Sequence, residues 1–357
     1  MVLGTKGQII KMAPILRELR KRKLDFGFVH VGQHVESVET VIREFDLPRP
    51  SYHLSVRTEV TSALQGVSWL ITSTAGGLMK RKTIFRRTGL VLVHGDAPPA
   101  IVGLVLGKAA RLKVAHVEAG LRSFDVLDPF PEELIRTTVD KFSDYLFAPS
   151  AWAARNLMRE GAKGRVYNSR FNTVLDSVRM ALSGHEDCEI EQPFALVTIH
   201  RLETILRRER LVKILQVLTV AARERKTVFV VHPPTGNMLR RFGMFDRLAR
   251  IPNLQVIPRI IPYSRFISMV SKSDFVMTDG GGLQQETFYL GKPCLILRHK
   301  TEQMEGIGAN VCVSRLDLAR IIEFEKNYLN YRTASLLGVD FSPSRFVVDI
   351  LTRISDR

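Results

Sequence analysis

Two segments decide the fold: Val91 to Ala100, VLVHGDAPPA, and Val114 to Arg136, VAHVEAGLRSFDVLDPFPEELIR. Each opens on a short apolar run that ends at a polar, Gly-containing turn: His94-Gly95-Asp96 in the first, His116-Val117-Glu118-Ala119-Gly120 in the second. Short apolar runs bounded by glycine read as buried strands, and the groups just past their C-terminal ends sit at the mouth of a parallel sheet. Ligand crevices of open α/β sheets lie at that mouth. Asp96 and Glu118 are therefore expected on neighbouring strand ends, with the Pro-framed pair Glu132 and Glu133 on a following loop or helix start.

Each acid alone has an ordinary structural explanation. Asp96 would cap the next helix, Glu118 would pair with Arg122, and Glu132 and Glu133 would favour a helix N-terminus. Four acids and two histidines gathered at strand ends instead suggest acid/base chemistry, because crowded carboxylates repel and shift one another's proton affinity.

The same rhythm runs outward in both directions. Upstream, a Gly4-Thr5-Lys6-Gly7 turn feeds an amphipathic helix, and a second unit passes through Gly32-Gln33-His34 into another. Residues 61–90 read as a helix, a basic turn and another helix. Downstream of residue 164 the pattern restarts, with strands ending at His200-Arg201, at His232 and at Asp279-Gly280-Gly281-Gly282. Strands alternating with helices build doubly wound parallel sheets. The expectation is two Rossmann-like domains, 1–166 carrying the acids and 167–340 binding nucleotide, with an interdomain cleft and a last helix over 341–357 packing back on the first domain.

With 357 residues the chain is long enough for two domains, and 45% apolar with 25% charged residues fits a water-soluble protein. No window offers the ~20 uncharged apolar residues of a membrane span, and the N-terminus lacks the apolar core of a signal peptide, so a cytoplasmic location is expected. Cys188, Cys294 and Cys312 have no metal-ligand spacing and read as reduced thiols. The net charge of +16 points to a solvated basic surface, phosphate-bearing ligands or an anionic membrane. Nucleic acid is disfavoured for want of aromatic-basic interleaving or zinc-finger spacing.

The glycine run at 280–282 opens a helix beginning Leu283-Gln284-Gln285-Glu286. Glycines let a diphosphate approach the orphan amides of a helix N-terminus, and Glu286, one turn in, is placed to accept from ribose hydroxyls. Arg298, Thr301 and Glu302 follow the next strand at the same rim. A nucleotide beside carboxylates suggests a nucleotide sugar.

Taken together, Gly4-Thr5 with Lys11-Met12-Ala13-Pro14, Gly32-Gln33-His34, His94-Gly95-Asp96, His116 through Arg122, Pro131-Glu132-Glu133 with Arg136, Asn172-Thr173-Val174, His200-Arg201, His232-Pro233, Thr278-Asp279 and Gly291-Lys292-Pro293 resemble the non-hydrolysing UDP-N-acetylglucosamine 2-epimerase family, over nearly the whole length. The resemblance implies the GT-B fold, a homodimer, and no metal or redox cofactor. It implies that Asp96, Glu118 and Glu132 share the acid/base work with His200 beside the departing diphosphate. Lys6, Lys11, Gln33, His34, Arg136, His232, Gly281, Gly282, Arg298, Thr301 and Glu302 would contact substrate, Glu286 the ribose and Phe266 the uracil, with an activator subsite as the alternative for His34. The implied reaction converts UDP-GlcNAc to UDP-ManNAc through a 2-acetamidoglucal, for cell-envelope polysaccharide. Six motifs depart from the pattern: the family's Gly-Thr-Arg-Pro-Glu is Gly4-Thr5-Lys6-Gly7-Gln8, its Asp-Ser-Gly-Gly is Asp279-Gly280-Gly281-Gly282, its Gln-Glu-Glu is Gln284-Gln285-Glu286, its Thr-Glu-Arg-Pro-Glu is Thr301-Glu302-Gln303-Met304-Glu305, its Thr-Gly-Asn is Arg170-Phe171-Asn172, and its Asn before the arginine of the acidic motif is Ile135. A GT-B glycosyltransferase using a UDP-HexNAc at the membrane surface, a hydrolysing 2-epimerase and a silent nucleotide-sugar binder are the alternatives.

Overall fold

Runs of valine, leucine and phenylalanine too short for helices become strands buried on both faces, as parallel sheets require. The computed structural model describes residues 1–32, 35–54, 63–126, 130–184, 190–258 and 261–355. Two compact units emerge, Met1–Met180 with Asp340–Arg357 and Ala181–Val339.

In the first unit β1 (Val2–Leu3), β2 (Val29–His30) and β3 (Tyr52–His53) form a parallel sheet in that order, and β4 (Leu90–His94), β5 (Lys113–Val117), β6 (Tyr145–Ala148) and β7 (Arg165–Asn168) form another. Val2 of β1 and Val93 of β4 share one core. Both lie under Gly103 of the helix Pro98–Ala109, where a Cβ would sit 2.4 Å from Val93 and 2.9 Å from Val2. Glycine is needed there for helix and strands to approach. From β1 the order runs outward through β2 and β3, and from β4 through β5 to β7, so the boundary between them is a topological switch point.

The helix Lys6–Lys21 begins at that boundary. Thr5 caps it in a reciprocal capping box with Gln8, and Gln8 Nε2 also donates to the His94 carbonyl at 2.7 Å, tying the helix start to the end of β4. Residues 63–84 form one continuous helix, Ala63–Ile84, where the sequence suggested two helices around a basic turn. Arg81 and Lys82 lie in its last turn, where cations suit the negative end of the dipole, and Arg81 donates back to the Leu78 carbonyl at 2.7 Å.

The first unit continues past 166 to Met180 because the helix Val174–Ser183 is bound into it: Ser177 Oγ donates to the Ile10 carbonyl at 2.8 Å. The terminal helix Pro343–Ser355 belongs here too. Asp176 accepts from Ser342 Oγ at 2.7 Å and the Ser344 amide at 2.9 Å, and Arg22 reaches Asp349 at 2.6 Å.

The second unit holds β8 (Phe194–Ile199), β9 (Lys226–Val231), β10 (Leu254–Pro258), β11 (Phe275–Thr278), β12 (Cys294–Ile296) and β13 (Val311–Val313). They form one all-parallel sheet in the order β10-β9-β8-β11-β12-β13, a Rossmann order whose switch point lies between β8 and β11. Val197, Phe229, Phe275 and Phe324 fill its core, where truncating one phenylalanine to alanine costs about 3–5 kcal/mol. Among the described residues no helix is long and apolar enough to cross a membrane.

Candidate active site

The end of β5 throws Glu118 into the left-handed region, at φ 70°. That is an unfavourable backbone for a glutamate, costing about 1–2 kcal/mol, and tertiary contacts hold it. The carboxylate is buried; Lys11 Nζ donates to its Oε2 at 2.6 Å, Asn172 Nδ2 donates to the same oxygen, and His94 Nε2 stands 3.7 Å away. Burial alone would raise its proton affinity, but Lys11, His94 and Asn172 outweigh it and hold the carboxyl at about 2.

His94 is itself fully enclosed. Burial, only partly offset by Glu118, drives its pKa down to about 4, so the ring is neutral at pH 7. Neither of its ring nitrogens makes a hydrogen bond among the described residues.

Asp96 follows on the next turn. It caps no helix: Pro98–Ala109 starts at Ala97 without a side-chain cap. Its Oδ2 instead accepts from Arg136, whose other terminal nitrogen donates to Glu133. Arg136 and Glu133 are buried while Asp96 remains 30% exposed, so one oxygen-bearing end of this chain reaches solvent. Glu132, partly exposed, stands at the first position of the helix Glu132–Phe142.

A supporting layer fixes these strand ends. His116 Nε2 is 2.9 Å from the Gly95 carbonyl, which can only accept, and Nδ1 is 2.7 Å from Asp140. Asp140 also accepts from Arg122 at 2.7 Å and from the Gly120 amide at 3.0 Å. Arg122 holds Glu160 with both arms, at 2.8 and 2.6 Å. The expected Glu118–Arg122 pair is therefore absent among the described residues, and Arg122 serves the second layer.

In the second unit the corresponding strand ends carry a different device. Buried Asp279, after β11, accepts from the backbone amides of His200 at 2.9 Å and Arg201 at 3.0 Å, clamping the end of β8. The His200 ring stacks on His232 with centroids 4.6 Å apart. It also fills the space over Gly280, where a Cβ would come within 2.5 Å of its Cε1. Glycine at this position thus lets the imidazole lie against the start of the helix Gly281–Leu290.

That helix has no side-chain cap, and the amides of a first turn have no acceptor within their own helix. A Cβ at Gly282 would meet nothing within 4 Å, whereas one at Gly281 would press on Gln303 and Glu302. The positive dipole end of this helix, beside the open space at Gly282, is a feature that can receive an anion. Tyr263 OH donates to Glu286 Oε1 at 2.8 Å, joining the helix to Tyr263–Lys272, in which Phe266 is buried.

Behind it, buried Glu302 accepts from Arg201 at 2.5 Å and Arg298 at 2.9 Å. Burial opposes its ionisation, but the two guanidinium groups outweigh it and hold the carboxyl at about 2. Thr301 Oγ1 donates to Gln284 at 2.8 Å.

The expected residues are thus grouped by unit. Lys11, Asp96, Glu118 and Arg136 come together at the first switch point, with Lys6 on the first turn of the helix above and Glu132 on a neighbouring one. His200, His232, Gly281, Gly282, Glu286, Phe266, Arg298, Thr301 and Glu302 surround the second. Gln33 and His34 lie outside the described residues, as does Cys188. Sequence reasoning gave no role to His94, Glu133, Asn172, Tyr263 or Asp279. All but Tyr263 lay inside recognised motifs; His94, Glu133 and Asp279 adjoin assigned positions, whereas Asn172 is far from any.

The family described as UDP-N-acetylglucosamine 2-epimerase matches residues 17–335. A Methanocaldococcus jannaschii protein named UDP-N-acetylglucosamine 2-epimerase is 32% identical over 328 residues, 87% of each chain, and a Bacillus subtilis protein of the same name is 32% identical over 322 residues, 86% of this chain and 80% of that one. Among solved structures, the M. jannaschii UDP-GlcNAc 2-epimerase in complex with UDP-GlcNAc and UDP superposes with a TM-score of 0.85 at 29% identity, covering 98% of both chains. The Neisseria meningitidis UDP-GlcNAc 2-epimerase bound to UDP-GlcNAc gives 0.84 at 26%, covering 99% of this chain and 98% of that one. The chain therefore belongs to the UDP-N-acetylglucosamine 2-epimerase family and has its GT-B fold.

Proposed function

We propose that the protein interconverts UDP-GlcNAc and its C2 epimer UDP-ManNAc. The observation that carries the reading is the pair of strand-end carboxylates at the first switch point, Glu118 buried against Lys11 and Asp96 half-open against Arg136. The C2 proton of the sugar is not adjacent to a carbonyl, so abstraction alone would leave an unstabilised carbanion. Elimination avoids it. A carboxylate takes the C2 proton, the C–H electrons form the C1–C2 double bond, and the C1–O bond breaks with its pair going to the UDP β-phosphate. Re-addition with a proton delivered to the opposite face gives the epimer. Two carboxylates in unlike settings suit those two proton transfers, each worth about 10²–10⁴ in rate.

The uncapped helix Gly281–Leu290 and His200 would receive the diphosphate, Glu286 the ribose, and Phe266 the uracil end. By the resemblance, Glu132 would share the acid/base work, and Lys6 and His232 would contact the substrate. A test needs no acceptor: purified protein with UDP-GlcNAc alone, followed by proton NMR, gives UDP-ManNAc anomeric signals. Unchanged substrate in the presence of bound UDP would contradict the epimerase and leave the transferase reading.

We also propose a homodimer. The helix Ala63–Ile84 exposes Val67, Ile71 and Met79, and Val105 and Phe142 are exposed beside a groove of about 980 Å³ between the helices Pro98–Ala109 and Glu132–Phe142. A second copy would cover that apolar face. Light scattering giving twice the chain mass supports it; monomer mass with pelleting on anionic vesicles would assign the face, with Lys108, Lys141 and Lys163 at its rim, to a membrane.

A further inference from the structure

Behind the strand ends of the first unit, one side chain has a protonation state that follows from counting donors and acceptors. His116, in β5, is fully buried, and both of its ring nitrogens are engaged. Nε2 lies 2.9 Å from the Gly95 carbonyl oxygen, which accepts and cannot donate, so Nε2 carries a proton. Nδ1 lies 2.7 Å from Asp140 Oδ1. At its other oxygen Asp140 accepts from Arg122 at 2.7 Å and from the Gly120 amide at 3.0 Å, the pattern of an ionised carboxylate. Burial opposes that ionisation, but His116 and Arg122 outweigh it and hold Asp140 below the usual carboxylate range. An ionised Asp140 only accepts, so Nδ1 carries a proton as well.

The charge balance agrees. With two ring protons, His116 and Arg122 face Asp140 and Glu160, two cations against two anions. A neutral ring would leave two carboxylates to one guanidinium, in a cluster where His116, Arg122 and Asp140 are all buried. On the β4 side His94 is kept neutral by burial, with the Lys11 and His116 charges adding to it. On the β6 side the register partner of His116 is the apolar Leu146.

Resting on the reading of Asp96 as one of the two proton-transfer groups, we infer that His116 is a buried imidazolium that positions Asp96 by gripping the peptide group between Gly95 and Asp96. The Gly95 carbonyl and the Asp96 nitrogen belong to that one rigid plane. Gly95 sits in the left-handed region at φ 61°, and its own amide donates to the Val117 carbonyl at 2.9 Å, so β5 holds the turn from both sides. A charged donor makes a hydrogen bond about twice as strong as a neutral one. Without the Nε2 proton two lone pairs would face each other at 2.9 Å. The carbonyl would then turn, and with it the start of Asp96, whose carboxylate accepts from Arg136. His116 is thus a positioning residue that acts through Gly95, with no contact to a reacting atom.

The test is nitrogen-15 NMR of the histidine rings in the full-length protein at about pH 7.5, where an ordinary histidine is mostly neutral. The His116 signals are assigned by their loss in His116→Gln. Both nitrogens should resonate as protonated nitrogens, each coupled to its own hydrogen. One nitrogen at the position of a bare lone pair would make the ring neutral and overturn the inference without any functional assay.

Positioning is read separately, from the carbon-13 signal of the Gly95 carbonyl and from kinetics. His116→Leu removes both donors, whereas His116→Gln offers an uncharged amide to the same carbonyl. In His116→Leu the Gly95 signal should shift and kcat should fall about 10²-fold with KM held within a few-fold, and His116→Gln should recover part of both. A Gly95 signal unmoved in His116→Leu, or a rise in KM with kcat intact, would overturn the positioning role. If His116→Leu fails to fold, the wild-type ring spectrum still decides. The outcomes stay distinct from those of the epimerase reading: a protein that makes UDP-ManNAc with a neutral His116 breaks only the inference, and an imidazolium His116 in a protein without turnover breaks only the reaction.

Discussion

The two switch points use the same topology to opposite ends. At the first, the carboxylates Glu118 and Asp96 meet side-chain cations, Lys11 and Arg136, with the neutral His94 imidazole alongside, without a hydrogen bond among the described residues. At the second, Asp279 is tied to backbone amides and Glu302 is locked between two guanidinium groups, leaving the helix start at Gly281 as the open feature. A carboxylate paired with a single cationic side chain can change partner with fewer bonds broken than one tied to two backbone amides or shared between two guanidinium groups. On the proposed reading the first moves protons and the second holds an anion.

The largest expected effect separates them by kinetics. Asp96→Asn or Glu118→Gln should lower kcat about 10²–10⁴-fold while UDP affinity stays within a few-fold, measured by steady-state assay and UDP titration. Equal loss of affinity would erase the distinction.

Next comes stability. Glu302→Ala removes the shared counter-charge of Arg201 and Arg298 and should cost about 3–5 kcal/mol in urea unfolding. Glu118→Gln should cost less, because Lys11 can turn to solvent.

Acid should weaken the fold in two stages, both of one sign. His94 has a folded pKa of about 4 against an ordinary 6.5, so the folded state takes up its proton later than the unfolded chain. Stability present above pH 6.5 is lost as pH falls toward 4, on the order of 3 kcal/mol. Glu118 and Glu302, held at about 2 against 4.5, contribute stability that is present above about pH 4.5 and is lost as pH falls to 2. A His94→Gln protein should unfold with a flatter profile between pH 6.5 and 4; an unchanged slope there would remove His94 from the account.

The smallest effect distinguishes two adjacent glycines. Gly281→Ala places a methyl 2.9 Å from Gln303 Cγ and should lose about 1 kcal/mol of stability, whereas Gly282→Ala faces open space and should be tolerated while weakening UDP binding. Identical behaviour of the two would deny that an anion approaches Gly282.

Much of this organisation is legible in the chain because strand-end polar groups follow apolar runs, which places Asp96, Glu118, His200 and the Gly280 turn at the mouths of the sheets. What stayed hidden was partner choice. Arg122 sits four residues from Glu118 and looked like its counter-ion, yet the left-handed turn at Glu118 points that carboxylate to Lys11, 107 positions away in sequence. Asn172 is equally remote at 54 positions. The single helix over Ala63–Ile84 was misread because Gly76-Gly77 and the run of cations imitate a turn; the cations are accommodated by the helix end itself.

The most direct test of the central claim is C2 hydrogen exchange in heavy water. Wild-type protein incubated with UDP-GlcNAc should yield UDP-ManNAc with deuterium at C2 and build deuterium into the remaining UDP-GlcNAc, and both Asp96→Asn and Glu118→Gln should abolish it with UDP still bound. An epimer that keeps its C2 proton, or exchange that survives in both variants, would contradict proton transfer by the strand-end carboxylates.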